Sequence, residues 1–216
     1  VRLSAPVETH ESTPAGWRVV APGGSVDVDG VVVAAPAPAA SALVRPHIGS
    51  TPLADIEHAG VVMVTFAWPR AAVPVDLRSS GFLVPRDAGL LLTAASIASS
   101  KWAHLGGDDT VLVRASAGRF GDDRALGLDD AELVAALRAD LATTMGVEAP
   151  PTDRRIIRWP ASFPQYTPGH LERIDEVDRA VHAVPGLALA GAALRGVGIP
   201  ACIRSGTDAA TRLLDG

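Results

Sequence analysis

The tail 187–206 reads LALAGAALRGVGIPACIRSG, a short apolar run, a glycine-rich turn and a proline suited to the first turn of a helix. A strand, turn and helix start of this kind receives anions. Unpaired N–H groups and the positive end of the helix dipole point out of 199–203 and stabilise negative charge on a bound group. Gly191, Gly196 and Gly198 let the backbone approach that group with no side chain between. The same pattern also serves where a tight turn merely packs. Other reactive side chains stand singly. Cys202, at the helix start, has no base near it in sequence and reads as a small packed residue, although a helix N-terminus can lower a thiol pKa. His170, after a Pro-Gly turn, and Tyr166, the one tyrosine, read as packed groups with satisfied hydrogen bonds. Lys101, the one lysine, reads as a solvated cation able to attract a carboxylate.

Elements must carry these residues. The alternating opening VRLSAPV, then 17–20 and 25–35, with Gly23 and Gly24 as a connection, predicts three short strands. Val31, Val32 and Val33 run into Ala34, Ala35 and Pro36, which suits a strand buried on both faces whose end leaves room for a ligand. A helical turn is expected at 41–43 and a boundary near Pro46. Four strand candidates follow between 60 and 120, VVMVTFAW, GFLVPR, GLLLTAASIASS and VLVRASAGRF, in a meander broken by Pro, Gly and Asp. Asp129, Asp130 and Glu132 open an amphipathic helix with Leu133, Val134, Leu137 and Leu141 on its apolar side, stopped by Gly146. A strand at 154–159, a helix over 171–184, the strand LALAG and a last helix over 200–214 complete the pattern.

Composition sets the limits. With 216 residues, 48% of them hydrophobic and 20% charged, the chain is a globular one of one or two domains. A net charge of −5, with no basic run to track a phosphate backbone, argues against nucleic acid as a partner. The single cysteine leaves no intrachain disulfide and no thiolate cluster, which fits a reducing cytoplasm and makes a metal site improbable. The most apolar stretch, 30–44, contains Pro36 and Pro38 and is too short to cross a bilayer, so no transmembrane segment is expected, and nothing amphipathic demands peripheral membrane contact. The chain opens on Val1 rather than methionine and reads as a fragment.

The tail resembles the C-terminal flavin signature of the oxygen-dependent protoporphyrinogen and coproporphyrinogen oxidases. Trp159, Pro164, Gln165, Tyr166, Gly169 and His170 match that family's W-x4-PQY-x2-GH motif upstream of it. So do GFLVP at 81–85, SSKWAH at 99–104 and VLVRASAGRFGD at 111–122, and VVVAAPAPAA is similar to the middle of those enzymes. The resemblance covers nearly the whole chain, with the bacterial coproporphyrinogen enzymes nearest in character. One departure is large: no GxGxxG follows any strand, whereas the family carries that pyrophosphate-binding fingerprint near its N-terminus.

The resemblance implies a mixed α+β and α/β fold, the C-terminal half of a GG-type FAD-binding fold with the N-terminal Rossmann fingerprint absent. Residues 1–46 and 159–216 would be parts of the FAD domain, and 47–158 an antiparallel-sheet substrate domain with a helix near 129–145. It implies FAD as cofactor, with Val197, Gly198 and Ile199 along the flavin and the Pro200 helix start facing N1 and the C2 carbonyl, where the reduced ring gathers negative charge. Val7 would lie against the adenine, Trp159 and Phe163 near the flavin ring. Leu83 and Trp102 would sandwich the tetrapyrrole, although composition alone also reads Leu83 as strand core and Trp102 as a cap on the core. The implied reaction is six-electron oxidation of coproporphyrinogen III or protoporphyrinogen IX, with oxygen giving hydrogen peroxide. The site is cytoplasmic or peripheral to a membrane, and the partner is a second copy or the missing N-terminal half. No catalytic base is evident. Two alternatives stay open. One is a relative acting on amines or carotenoids, against which the absence of lysine in VVMVTFAW speaks. The other is a noncatalytic piece.

Overall fold

In the computed structural model, which describes residues 1–74, 79–102, 104–105 and 109–215, the chain forms two units, one from Val1–Glu57 with Phe163–Gly216 and one from His58–Ser162. The first stretch supplies β1 (Thr9–Thr13), β2 (Gly16–Ala21), β3 (Gly24–Val28), β4 (Val31–Val33) and α1 (Ala37–Ile48). The middle stretch supplies β5 (His58–Pro69), β6 (Gly81–Leu83), β7 (Leu92–Ile97), α2 (Ala98–Lys101), β8 (Thr110–Ala117), α3 (Arg124–Gly127) and α4 (Asp130–Met145). Then come β9 (Asp153–Pro164), α5 (His170–His182), β10 (Leu187–Leu189) and α6 (Ile199–Asp215). The unit boundaries fall after Glu57 and within β9 after Ser162, where sequence reading expects 46 and 158.

The middle unit is one five-stranded sheet in the order β6-β7-β8-β5-β9, whose β6–β7, β7–β8 and β8–β5 pairs run antiparallel. Alternation gives it two unlike faces. Val62, Val64, Phe66 and Trp68 of β5 share one face with Val111 and Val113 of β8 and bury against Leu133, Leu137 and Leu141 of α4. That helix forms where its leucines recur every four residues, and its first turn is closed by a capping box. Asp129 Oδ1 accepts from the Glu132 amide at 2.8 Å, while Glu132 Oε2 accepts from the Asp129 amide at 3.1 Å. Gly146, left-handed at φ 67, ends it as expected. We expect Asp129→Ala to lower stability by about 1 kcal/mol in urea unfolding of the chain, since the Glu132 amide loses its acceptor. A bulge between Leu92 and Ala94 breaks the β7 register, and Asp140 of α4 accepts both neighbouring amides, Leu91 and Leu92, at 2.8 Å.

The other unit joins a three-stranded antiparallel sheet, β1-β2-β3, to a parallel pair, β4 with β10, in which Val31 faces Leu187 and Val33 faces Leu189. Val44 of α1 and Ile174, Val177 and Val181 of α5 cover one side of that pair, and Ala209 of α6 covers Ala188 on the other. Trp17 of β2 is buried and donates its Nε1–H to the Pro185 carbonyl at 3.1 Å. Beside it, His10 of β1 is buried and stacks on His47 of α1 with 4.7 Å between centroids. Burial first, and the nearby His47 second, push the His10 pKa down, with the Leu43 backbone opposing. The folded state therefore prefers neutral His10. Its contribution is full above the unfolded value of about 6.5 and is lost as pH falls below that value toward the folded one. Thermal unfolding should show the melting temperature dropping between pH 7 and 5, and His10→Leu should flatten that part of the profile.

Several expectations give way here. The first strand lies at 9–13 and not within VRLSAPV, because the turn at Pro14 and Ala15 sets the register that pairs His10 with Val19. The predicted 25–35 strand divides at Asp29 and Gly30 as the chain leaves one sheet for the other. Instead of a turn at 41–43 there is a twelve-residue helix: Pro36 is its N-cap, Pro38 lies in the first turn where no amide is needed, and Pro46 falls in the last turn, which runs on to Ile48. GLLLTAASIASS is strand only to Ile97, after which Ser99 and Ser100 turn into α2. Val32 is 40% exposed, so β4 is covered on one face only.

Candidate functional site

The glycine turn grows out of β10. Ala190 continues the pairing with an N–H to the Val33 carbonyl at 3.1 Å, and Gly191, at φ 130, donates to Ser205 Oγ of α6 at 3.0 Å. Ala193 and Leu194 tuck inward. The chain then emerges through Arg195, which pairs with Asp175 and Asp178 of α5 at 2.6 Å each, and reaches α6, whose first helical bond runs from the Cys202 amide to the Gly198 carbonyl at 3.0 Å. The Ile199 and Ala201 amides precede that bond, so the helix end offers donors and its dipole to whatever lies before it. Val197, Ile199 and Ile203 stand exposed around this end, Ile199 to 77%.

The glycines differ in what holds them. Gly196, at φ 152, would drive a Cβ to 2.6 Å from Ala201 Cβ, and Gly191 also needs its positive φ. Gly198 needs neither. Its backbone lies outside the left-handed region, and a Cβ there would meet nothing in the chain closer than Pro200 Cδ at 3.9 Å. A glycine that its own chain does not require, at an exposed helix start flanked by apolar side chains, fits the close approach of a flat group bearing partial negative charge. Val197, Gly198 and Ile199 are thus contiguous on this surface, and the residues present fit a flavin edge.

Behind the turn stand Tyr166 and His170, their rings stacked at 3.8 Å with 12° between planes. The Tyr166 hydroxyl donates to the Ala192 carbonyl at 2.5 Å and accepts from the Gly196 amide at 2.7 Å, and His170 Nε2 donates to the Leu194 carbonyl at 2.9 Å. Burial raises the Tyr166 pKa, with the Gly196 amide pulling it down and Cys202 adding to the rise. Cys202 Sγ reaches back to the Gly196 carbonyl at 3.7 Å. Sequence reasoning marks both rings as packed polar groups and misses what they hold. Their spacing of four gave no helical signal, since Tyr166 lies in the turn before α5 and only His170 is helical.

Leu83 and Trp102 belong to the middle unit. Leu83 of β6 lies opposite Ala94 of β7, on the sheet face turned away from α4, and is 84% exposed, so it is not core. Ile157 and Trp159 of β9 fall on that face by strand alternation, since the preceding Ile156 packs against the core. Trp102 follows α2, is 50% exposed, and has the Lys101 ammonium 5.8 Å from its ring centroid. The adjoining Ala103 of the SSKWAH motif lies outside the described residues. Val7 precedes β1 and Phe163 is the last residue but one of β9, both exposed. Among the described residues no group of His, Cys, Asp and Glu is arranged to hold a metal, and no helix is long and apolar enough to cross a membrane.

Known proteins resemble this chain over most of its length. A coproporphyrinogen III oxidase of Bacillus subtilis (strain 168) is 32% identical over 193 residues, covering 89% of this chain and 41% of the relative. One from Mycobacterium tuberculosis (strain ATCC 25618 / H37Rv) is 36% identical over 196 residues, covering 89% and 42%. The chain therefore spans about two fifths of the length of these curated relatives. A crystal structure from Exiguobacterium sp. 255-15, named by likeness as a protoporphyrinogen oxidase, superposes with a TM-score of 0.87 at 30% identity, over 100% of this chain and 48% of that one. The profile of the flavin-containing amine oxidoreductases matches residues 1–214, and the chain belongs to that family.

Proposed function

We propose that the complete protein is an FAD-dependent porphyrinogen oxidase of haem biosynthesis, and that this chain carries the flavin-edge and substrate-wall parts of its site. The observation that carries the reading is the bare Gly198 at the start of α6, in a chain whose curated relatives are named coproporphyrinogen III oxidases. Bound FAD supplies the acceptor for two electrons at a time and returns them to oxygen as hydrogen peroxide, so three rounds account for the six electrons and six protons that separate porphyrinogen from porphyrin.

The chain's own contribution is binding and electrostatics. Val197, Gly198 and Ile199 hold the ring edge, and the free amides of the α6 start stabilise charge that gathers there. Val7, Trp159 and Phe163 give apolar contact to the cofactor, and Leu83 and Trp102 clamp a flat macrocycle while Lys101 draws a carboxylate toward it. Residues 1–46 and 159–216 serve the cofactor in this reading, and 47–158 the substrate. The protein works in the cytoplasm, peripheral to a membrane where substrate requires it, as a homodimer or with this portion joined to the rest of the protein. Coproporphyrinogen III is the favoured substrate.

Porphyrin fluorescence in air, after adding coproporphyrinogen III or protoporphyrinogen IX to the complete protein, tests the proposal, with the 216-residue chain assayed beside it. Emission from the complete protein, faster with coproporphyrinogen III, is expected. Turnover of an amine with no porphyrin formed overturns the reading.

A further inference from the structure

We propose that Tyr166 and His170 are positioning residues for the flavin turn: a stacked pair at the start of α5 that ties down 192–196 and so sets where Gly198 and the first amides of α6 stand. The inference rests on the reading of that turn as the flavin site.

The two rings take hold of alternate residues. The phenol holds the Ala192 carbonyl and the Gly196 amide, the imidazole the Leu194 carbonyl, so the segment is fixed at every second position. With 3.8 Å between centroids and nearly parallel planes, neither ring can turn without displacing the other. The remaining restraints are weaker or act on side chains: the Leu194 amide meets the Gly191 carbonyl at 3.3 Å, the Gly191 amide Ser205, and Cys202 Sγ the Gly196 carbonyl at 3.7 Å, while Arg195 pairs with Asp175 and Asp178 and Ala193 and Leu194 are buried. Of the backbone polar groups of 192–196, the two rings hold the Ala192 and Leu194 carbonyls and the Gly196 amide, and glycines at 191 and 196 leave the backbone many conformations to lose. An untied loop would have to be ordered as the cofactor binds, which weakens binding; a loop ordered beforehand avoids that loss. Tyr166 is partly exposed, so the packing of its ring alone does not call for a hydroxyl. Phenylalanine would keep the stack and release both backbone groups.

The test uses the complete protein carrying Tyr166→Phe, His170→Leu or His170→Gln, the last retaining an amide donor toward the Leu194 carbonyl. In the flavin-free form, hydrogen exchange of the Gly196 amide should quicken roughly tenfold in Tyr166→Phe as its acceptor disappears. The FAD dissociation constant should rise by roughly tenfold or more in Tyr166→Phe and His170→Leu, the visible circular dichroism of bound flavin should change, and His170→Gln should recover most of the affinity. Wild-type exchange and affinity in both disruptive variants overturn the clamp. Faster exchange with unchanged FAD affinity overturns the positioning role. Gly198→Val then separates the two readings: flavin lost there leaves the site assignment standing while the clamp falls, and flavin retained there removes both. Should His170→Leu fail to fold, Tyr166→Phe decides alone.

Discussion

Gly198→Val in the complete protein is expected to abolish flavin retention while leaving the protein folded. The chain itself tolerates the change, because a Cβ at this position has no neighbour nearer than Pro200 Cδ at 3.9 Å and the backbone demands no left-handed conformation. The helix start loses at most about 1 kcal/mol from a poorer capping residue. A flat ring resting on that surface would instead meet a branched side chain in a contact with no slack. Overpacking of this kind costs about 1–3 kcal/mol, and lifting the ring off the α6 amides removes further stabilisation, so affinity should fall by roughly 100-fold or more. The ratio of 450 nm to 280 nm absorbance after purification, read beside a thermal melt, measures both halves of the prediction. A full flavin complement in a stably folded variant would withdraw the turn from the cofactor site.

Leu83→Asp carries the second large effect. At 84% exposure, on the sheet face opposite α4, the leucine contributes little to folding, and stability should change by no more than about 0.5 kcal/mol. If that face meets a tetrapyrrole, a carboxylate there must shed water against an apolar ring. That penalty, of about 2–3 kcal/mol, lowers kcat/KM for the porphyrinogen by roughly 30- to 160-fold. Leu83→Met should behave as wild type. Initial rates of porphyrin fluorescence over a range of substrate concentrations give the answer, and an unaltered kcat/KM in the aspartate variant would remove Leu83 from the substrate wall.

Much of this organisation can be read from the residues. α4 announces itself through an acidic start, leucines every four positions and a closing glycine, and α5 and α6 lie within a residue or two of their expected spans. These signals are local, and local physics decides them. α1 was hidden because Pro36, Pro38 and Pro46 read as breaks, whereas Pro36 and Pro38 stand at the helix start, where a missing amide is tolerated, and Pro46 lies inside the last turn, where the helix runs on to Ile48 without that amide. The exposure of Val32 could not be anticipated either, since three valines look the same whether one face or two are covered. At the site, the glycine turn was legible from its spacing. The hold of Tyr166 and His170 on it was not, for their partners are backbone atoms more than twenty residues away, and a carbonyl or amide leaves no mark in side-chain pattern.

The pairing of Val31 with Leu187 has a consequence for the order of events when this chain refolds. The stretch His58–Ser162 can assemble its sheet and α4 as one continuous piece. Within the chain described here, β4 has no strand partner other than β10. In this chain taken alone the β4–β10 pairing is an encounter across the whole middle unit, a contact of long sequence separation that forms slowly. Refolding should therefore separate into an early phase reported by Trp68 of the middle unit and a later one reported by Trp17, buried where the two ends of the chain meet.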